Sequence, residues 1–155
     1  MIEIIQAETP DTISQSRILF REYEVWLGLK LCFQNFEEEV AELPGKYSAP
    51  EGRLFLALTN RKPTGCIALR KLESGVCEMK RLFVKEIFQG LGIGKLLIES
   101  ILAEARLIGY EKMRLDTYPP KMPRAVKMYE SYGFREIPPY YHNPYDGTIF
   151  MEKNL

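Results

Sequence analysis

The chain holds one histidine, His142, and three scattered cysteines, Cys32, Cys66 and Cys77. An odd, unclustered cysteine set argues against a disulfide framework and fits thiols kept reduced in a cytoplasm. With a single imidazole and no close-spaced cysteine pair, no metal site is expected. Neither sign of charge is in excess, since Lys+Arg and Asp+Glu both number 21. No overall field therefore favours nucleic acid or an anionic membrane as a partner. No apolar run is long enough to span a bilayer, and the N-terminal residues carry no signal-peptide pattern. Repeats, low-complexity tracts and linkers are missing as well. What remains is 155 residues, 46% hydrophobic and 27% charged. That length and composition predict one globular domain over residues 1–155 with a sizeable core.

Residues 2–6 predict a short strand. Thr9-Pro10 opens a helix, because Thr caps and Pro suits the first helical position. Its apolar stripe runs Ile13, Leu19, Phe20, Tyr23, Trp26 and Leu27, and Gly28 ends it. Asn35 predicts a second cap, followed by the acidic first turn of a helix that stops at Pro44-Gly45. Strand patterns over 53–59 and 64–71 are joined by Asn60-Arg61-Lys62-Pro63, a hairpin turn. Ser74-Gly75 breaks the chain before a central strand at about 76–84. A long amphipathic helix follows, with Ile93, Leu96, Leu97, Ile101, Ala105 and Ile108 on one face and Gly109 as its C-cap. Met113, Leu115 and Thr117 alternate with Arg114 and Asp116, as in a half-buried strand. A short helix bears Ala125, Met128, Tyr129 and Tyr132. Two strands close the chain, one from Gly133-Phe134 and one over 148–152. The order predicts an α/β (α+β) fold with a mixed sheet and helices on both faces.

The most informative stretch is Phe88-Gln89-Gly90-Leu91-Gly92-Ile93-Gly94-Lys95, between the central strand and the long helix. A glycine-rich turn from strand to helix suits phosphate, since bare N–H groups and the positive end of the helix face outward. Three patterns compete for it. A Walker A loop needs Gly at position 89 and Ser or Thr at 96, and the chain has Gln89 and Leu96. A dinucleotide fingerprint needs a third glycine where Lys95 stands. The pattern Q/R-x-x-G-x-G/A is met by Gln89 through Gly94. A turn chosen only for tight packing is the plain alternative.

That third pattern resembles the acetyl-CoA loop of the GNAT N-acetyltransferase superfamily. Ala125-Val126-Lys127-Met128-Tyr129-Glu130-Ser131-Tyr132-Gly133-Phe134 resembles the superfamily's second signature, A-x-x-x-Y-e-x-x-G-F. The element order agrees, well over residues 53–155 and by order alone before them. The Glu-Met-Lys-Arg-Leu-Phe-Val strand and the Pro-Pro-Tyr-Tyr loop look like a widespread group of small bacterial members. The resemblance implies the GNAT fold, with about seven strands.

It also implies acetyl transfer from acetyl-CoA to a primary amine by direct attack. The pantetheine arm maps onto the backbone of Leu82 and Val84, as a strand adds to an open edge. The backbone N–H groups of Gln89, Gly90, Leu91, Gly92, Ile93, Gly94 and Lys95 map onto the pyrophosphate. Tyr129 stands at the general-acid position, and a phenol near pKa 10 can protonate a departing thiolate. Read by periodicity alone, it is a core tyrosine. Glu78 is the candidate base, on the same strand parity as Leu82 and Val84; the alternative is an ion pair with Lys80. A water chain can also serve, and Asp116 is the fallback. The family often carries Asn where this chain has Met122, and Arg where it has Gln89, a lost charge that Lys95 or Arg124 could restore.

The acceptor is read from weaker signals. Arg21, Tyr23, Glu24, Trp26, Lys30 and Phe33 are candidate wall residues. The segment 138–147 concentrates Pro138, Pro139, Tyr140, Tyr141, His142, Pro144 and Tyr145, a stiff aromatic wall or an ordinary surface hairpin. His142 reads as a solvated loop histidine. Balanced charge leaves a small amine or amino acid as the expected acceptor, with the protein a monomer or homodimer. Two other functions remain open. One is a non-catalytic acyl-CoA sensor. The other is a nucleotide-binding module using Asp116 on a ribose.

Overall fold

The elements follow one another as β1 (Ile2–Gln6), α1 (Pro10–Leu27), α2 (Phe36–Glu42), β2 (Arg53–Thr59), β3 (Lys62–Glu73), β4 (Val76–Val84), α3 (Ile93–Ile108), β5 (Lys112–Thr117), α4 (Ala125–Ser131), β6 (Arg135–Ile137) and β7 (Ile149–Asn154). This is a computed structural model, and it describes residues 1–155. The seven strands form one mixed sheet in the order β1-β2-β3-β4-β5-β7-β6. Only β4 and β5 run parallel, as their α3 crossover requires.

Each face of the sheet buries its own apolar cluster. On one face Leu97, Ile98, Ile101 and Ala105 of α3 pack on Ile67, Leu69, Cys77 and Met79, with Tyr129 of α4 at the margin. On the other, Leu19, Phe20 and Tyr23 of α1 and Phe36 and Val40 of α2 pack on Leu54, Leu56, Cys66 and Phe83. Helices thus cover both faces, as the sequence pattern predicts. No helix is long and apolar enough to cross a membrane.

Local chemistry explains most boundaries. The Thr9 side chain accepts from the Thr12 N–H, and Thr12 returns the bond to the Thr9 backbone. Two expectations shift. Asn35 lies at φ 56°, in the left-handed region, and makes no side-chain cap; it closes the preceding 3-10 turn with its own N–H. The β2–β3 turn is tighter than four residues: Asn60 and Arg61 both have positive φ, and Lys62 already pairs with Thr59.

One irregularity shapes everything that follows. In β4, Cys66 pairs with Phe83 but Ala68 with Lys80, so an extra residue stands opposite Ile67. Arg81 takes the strain with φ 61°. A bulge of this kind bends and twists its strand. The β4–β5 ladder runs only from Val76↔Lys112 to Glu78↔Arg114, and beyond that the two strands splay apart.

Candidate active site

The splay opens a cleft between Met79–Val84 of β4 and Leu115–Thr117 of β5. Leu115 through Thr117 pair on their far side with β7, so the rigid sheet holds that wall of the cleft. The β4 edge facing the cleft has no strand partner past Glu78. Unpaired backbone groups of this sort suit an extended amide-bearing ligand.

The glycine turn lies at the end of this edge. Gly90 and Gly92 have φ of 84° and 85°, which a side chain resists. A Cβ at either would meet no atom within 4 Å, so steric crowding is not what requires glycine there. The need is conformational, together with a surface left clear for close approach. Gly92 caps α3 without any side-chain bond, and the first helical bond at this end runs from the Leu96 N–H to the Gly92 carbonyl, 3.2 Å. The N–H groups of the first turn therefore have no helical partner. Ile93 contributes only backbone, since its side chain is buried in the core. The Gln89 N–H is committed to the Glu86 carbonyl at 3.2 Å, which removes it from the predicted donor set. Its side chain donates to the Val84 carbonyl at 3.0 Å and ties the turn to β4.

Tyr129 rises from α4 with its ring edge-on to Phe134, centroids 5.9 Å apart. It is 4% exposed, yet its hydroxyl is not one of the two enclosed polar atoms left without a partner. Burial foremost, then the Tyr23 and Asp116 charges, raise its pKa above the ordinary phenol value. Burial likewise raises the Tyr23 phenol to about 12, and Asp116 adds to the shift. Tyr23, Tyr129 and Asp116 thus converge on the cleft from α1, α4 and β5. Tyr132, one turn on, packs at the edge of the core and donates to Glu99 at 3.0 Å.

Glu78 lies elsewhere than strand parity implied. The bulge falls between it and Leu82, so the alternation is reset. Leu82 and Val84 pack with the α3 cluster. Glu78 points to the opposite face, where Arg70 Nε donates to it at 2.8 Å, Tyr140 Oη at 2.6 Å, and Lys80 Nζ lies at 3.8 Å. Burial would raise its pKa, but Lys80, then Arg70 and the Tyr140 bond, outweigh that and hold the carboxyl low. The ion-pair alternative describes this residue. A carboxylate held low contributes stability above its unfolded pKa near 4.5 and loses it as pH falls through the folded value. Glu78→Gln is expected to lower unfolding free energy by about 3–5 kcal/mol, the cost of breaking a buried pair. Chemical denaturation at pH 7 checks this, and the difference from wild type should shrink below pH 4.

Asp116 sits at the cleft itself, half-buried. Tyr141 donates to its Oδ2, and Gln34 Nε2 reaches the same oxygen at 3.5 Å. Burial foremost raises its pKa, opposed by Lys80 and assisted by Glu78. Gln34 also accepts from Lys80 Nζ at 3.1 Å and donates to Tyr141 at 3.0 Å. Beside Asp116 opens a pocket of about 40 Å³, reached by Tyr23, Phe33, Arg81, Thr117, Tyr118 and Tyr145 among others. Of the wall residues read from sequence, Tyr23 and Phe33 line it. Lys30 contributes its backbone, which exchanges two bonds with Tyr145 Oη at 2.9 and 3.0 Å. Arg21 instead pairs with Glu37 at the surface, and Trp26 donates to Glu86 at 3.0 Å. His142 is exposed. The 138–147 segment is anchored through three tyrosines, to Glu78, Asp116 and Lys30. Gln34, Arg81 and Thr117 were not singled out by sequence; Gln34 lies in an irregular connection, and a bulge at a non-glycine residue leaves no local sign.

The profile of the Acetyltransferase (GNAT) family matches residues 16–134. An uncharacterised N-acetyltransferase of Schizosaccharomyces pombe is 36% identical over 156 residues, covering 99% of this chain and 95% of the relative. Among solved structures, an acetyltransferase of the GNAT family from Staphylococcus aureus superposes with TM-score 0.83 at 22% identity, covering 99% of each chain. The PaiA N-acetyltransferase of Thermoplasma acidophilum, solved in complex with coenzyme A, superposes with TM-score 0.75 at 18% identity, covering all of this chain and 99% of that one.

Proposed function

The chain belongs to the GNAT acetyltransferase family, and on that premise we propose that it transfers the acetyl group of acetyl-CoA to the primary amine of a small molecule. The observation carrying this is the cleft: an open β4 edge that ends in a turn of unpartnered N–H groups, with an unbonded phenol beside it. Those parts fit a thioester on a pantetheine arm with a pyrophosphate at its far end. The Thermoplasma neighbour's coenzyme A complex supports the same fit.

Acetyl-CoA supplies the activated acyl group: the amine nitrogen forms a bond to the acyl carbon, the carbon–sulfur bond breaks, and the nitrogen gives up two protons, one to the base and one that restores the proton Tyr129 gives the sulfur. The N–H groups of Gly90 through Lys95 hold the pyrophosphate, aided by the positive end of α3. The backbone of Leu82 and Val84 aligns the arm, which fixes the reacting carbon against the acceptor. Tyr129 donates its proton to the departing sulfur. Asp116 takes the ammonium proton, directly or through water, because its raised pKa and its place in the cleft suit a base. Glu78 anchors Lys80, Arg70 and the Tyr140 loop.

Calorimetric titration of the wild type with acetyl-CoA, beside NAD and ATP, tests the loop assignment. Saturable acetyl-CoA binding with no response to the others is expected. Tighter binding of NAD or ATP would favour the nucleotide-binding alternative. For the base, Asp116→Asn is expected to lower kcat about 100-fold or more. Glu78→Gln should change kcat less than tenfold in whatever fraction is folded.

A further inference from the structure

The 138–147 segment reaches Asp116 through a chain of hydrogen bonds whose direction is fixed from both ends. At one end Lys80 Nζ donates to Gln34 Oε1 at 3.1 Å. An ammonium only donates, so Oε1 must face it and the amide nitrogen must face the other way. That nitrogen, Nε2, donates to Tyr141 Oη at 3.0 Å. At the other end the Tyr145 backbone N–H donates to Asn143 Oδ1 at 2.9 Å. A backbone N–H likewise only donates, so Asn143 Nδ2 is turned toward the same Tyr141 Oη, at 3.1 Å. Tyr141 Oη thus accepts twice. Its single proton goes to Asp116 Oδ2.

The ring is held as well as its hydroxyl. It packs edge-on to Phe150 of β7 and to Tyr140, with centroids 5.1 and 5.6 Å away. Tyr140 is tied to Glu78, and Tyr145 to the Lys30 backbone. The other titratable groups facing Asp116 are Glu78, Lys80 and Arg81 from β4, Tyr23 from α1, Tyr129 from α4 and Tyr140 from the segment itself. None of these makes a side-chain hydrogen bond to Asp116. Gln34 Nε2 approaches only at 3.5 Å, the long limit of a bond. Both contacts fall on Oδ2 and leave Oδ1 open.

Resting on the reading of Asp116 as the base, we propose that Tyr141 is a positioning residue for acetyl transfer: aimed by Gln34 and Asn143, it holds Asp116 by Oδ2, favours the ionised carboxyl, and leaves Oδ1 as the oxygen that meets the acceptor's ammonium proton. Burial disfavours a carboxylate at this place, and a donor that has no other direction to turn opposes that cost. With two N–H groups already on its oxygen, Tyr141 has no room to take the proton onward from Asp116. It is a one-way donor and not a relay.

The test is a carbon NMR titration of protein labelled at its aspartate carboxyl carbons, set beside the pH profile of kcat/KM. The chain has three aspartates, and Asp11 and Asp146 are exposed, so Asp116→Asn assigns the remaining signal. The titration is run below about pH 7, where Lys80, lowered to about 8 by burial and then by Arg81, keeps its charge. In Tyr141→Phe, Asp116 should titrate about one pK unit or more above its wild-type value, the worth of a hydrogen bond to a charged group. The acid limb of kcat/KM should rise with it while acetyl-CoA affinity stays the same; a tyrosine that only packs would move neither. Asn143→Ala keeps the phenol, removes one of the two amides that aim it, and should shift both readouts the same way by less. An Asp116 that titrates in Tyr141→Phe as in the wild type would overturn the proposal. So would a shifted carboxyl with an unmoved acid limb. Should Tyr141→Phe fail to fold, an unchanged Asp116 titration in Asn143→Ala would overturn it alone. A shifted carboxyl in a protein that transfers no acetyl group would keep the hold on Asp116 and remove the reading of it as a base instead.

Discussion

Tyr129→Phe is expected to cut kcat about 100- to 1,000-fold while the affinity for acetyl-CoA stays within about threefold. The substitution removes one oxygen from a ring that keeps its packing on Phe134. That oxygen bonds to nothing enclosed in the chain, so stability should hardly move. A core tyrosine without a chemical task would give a small kinetic effect for the same reason, which makes the variant discriminating. The pH profile adds a second readout. Burial raises the Tyr129 phenol, so the wild-type kcat should persist to a pH above the ordinary phenol value near 10 before it declines. A wild-type decline with its midpoint near 10 would contradict that shift. Steady-state kinetics over pH 7–11 measure both.

Gly92→Trp should abolish acetyl-CoA binding, with a loss of at least about 100-fold in affinity by calorimetry. Gly92 sits at φ 85° at the head of α3, where any side chain is strained. No atom lies near its missing Cβ, so the new ring has room and the fold should survive. The room it fills is the face that the loop N–H groups present to the pyrophosphate. Gly92→Ala makes the graded case: it adds the strain with little bulk and should weaken binding less. Equal affinity in the wild type and the Trp variant would move the pyrophosphate off this turn.

Where the sequence spoke through local chemistry, the structure agrees at most positions, the Asn35 cap being an exception. Gly28 and Gly109 end their helices in the left-handed region, and the capping Thr9 makes both bonds of a capping box. The alternation of β5 follows from side-chain periodicity and emerges as its buried face, and so does most of the α3 stripe, although Leu96 is exposed and Ile98 and Leu102 are buried in its stead. Parity failed in β4 because Arg81 adopts a positive φ without being a glycine, and one bulged residue sends Glu78 and Leu82 to opposite faces. The anchors of the 138–147 segment were hidden for a different reason. Tyr140 meets Glu78 across 62 positions and Tyr141 meets Asp116 across 25, and pairings at such separations leave no periodic trace. The two cleft motifs could be read because each is contiguous. The pocket beside Asp116 is assembled from α1, β4, β5 and three connections, so only its pieces were visible.

The most direct measurement is transfer itself. Wild-type protein is incubated with acetyl-CoA carrying an isotopic label in the acetyl group, together with a panel of small amines and amino acids. Free thiol and labelled acceptor are then counted by mass spectrometry. The predicted result is one labelled N-acetyl product formed in step with free CoA, and lost together with it in Tyr129→Phe. Acetyl-CoA that binds tightly but is returned intact with every acceptor would contradict the enzyme and leave a binding protein in its place.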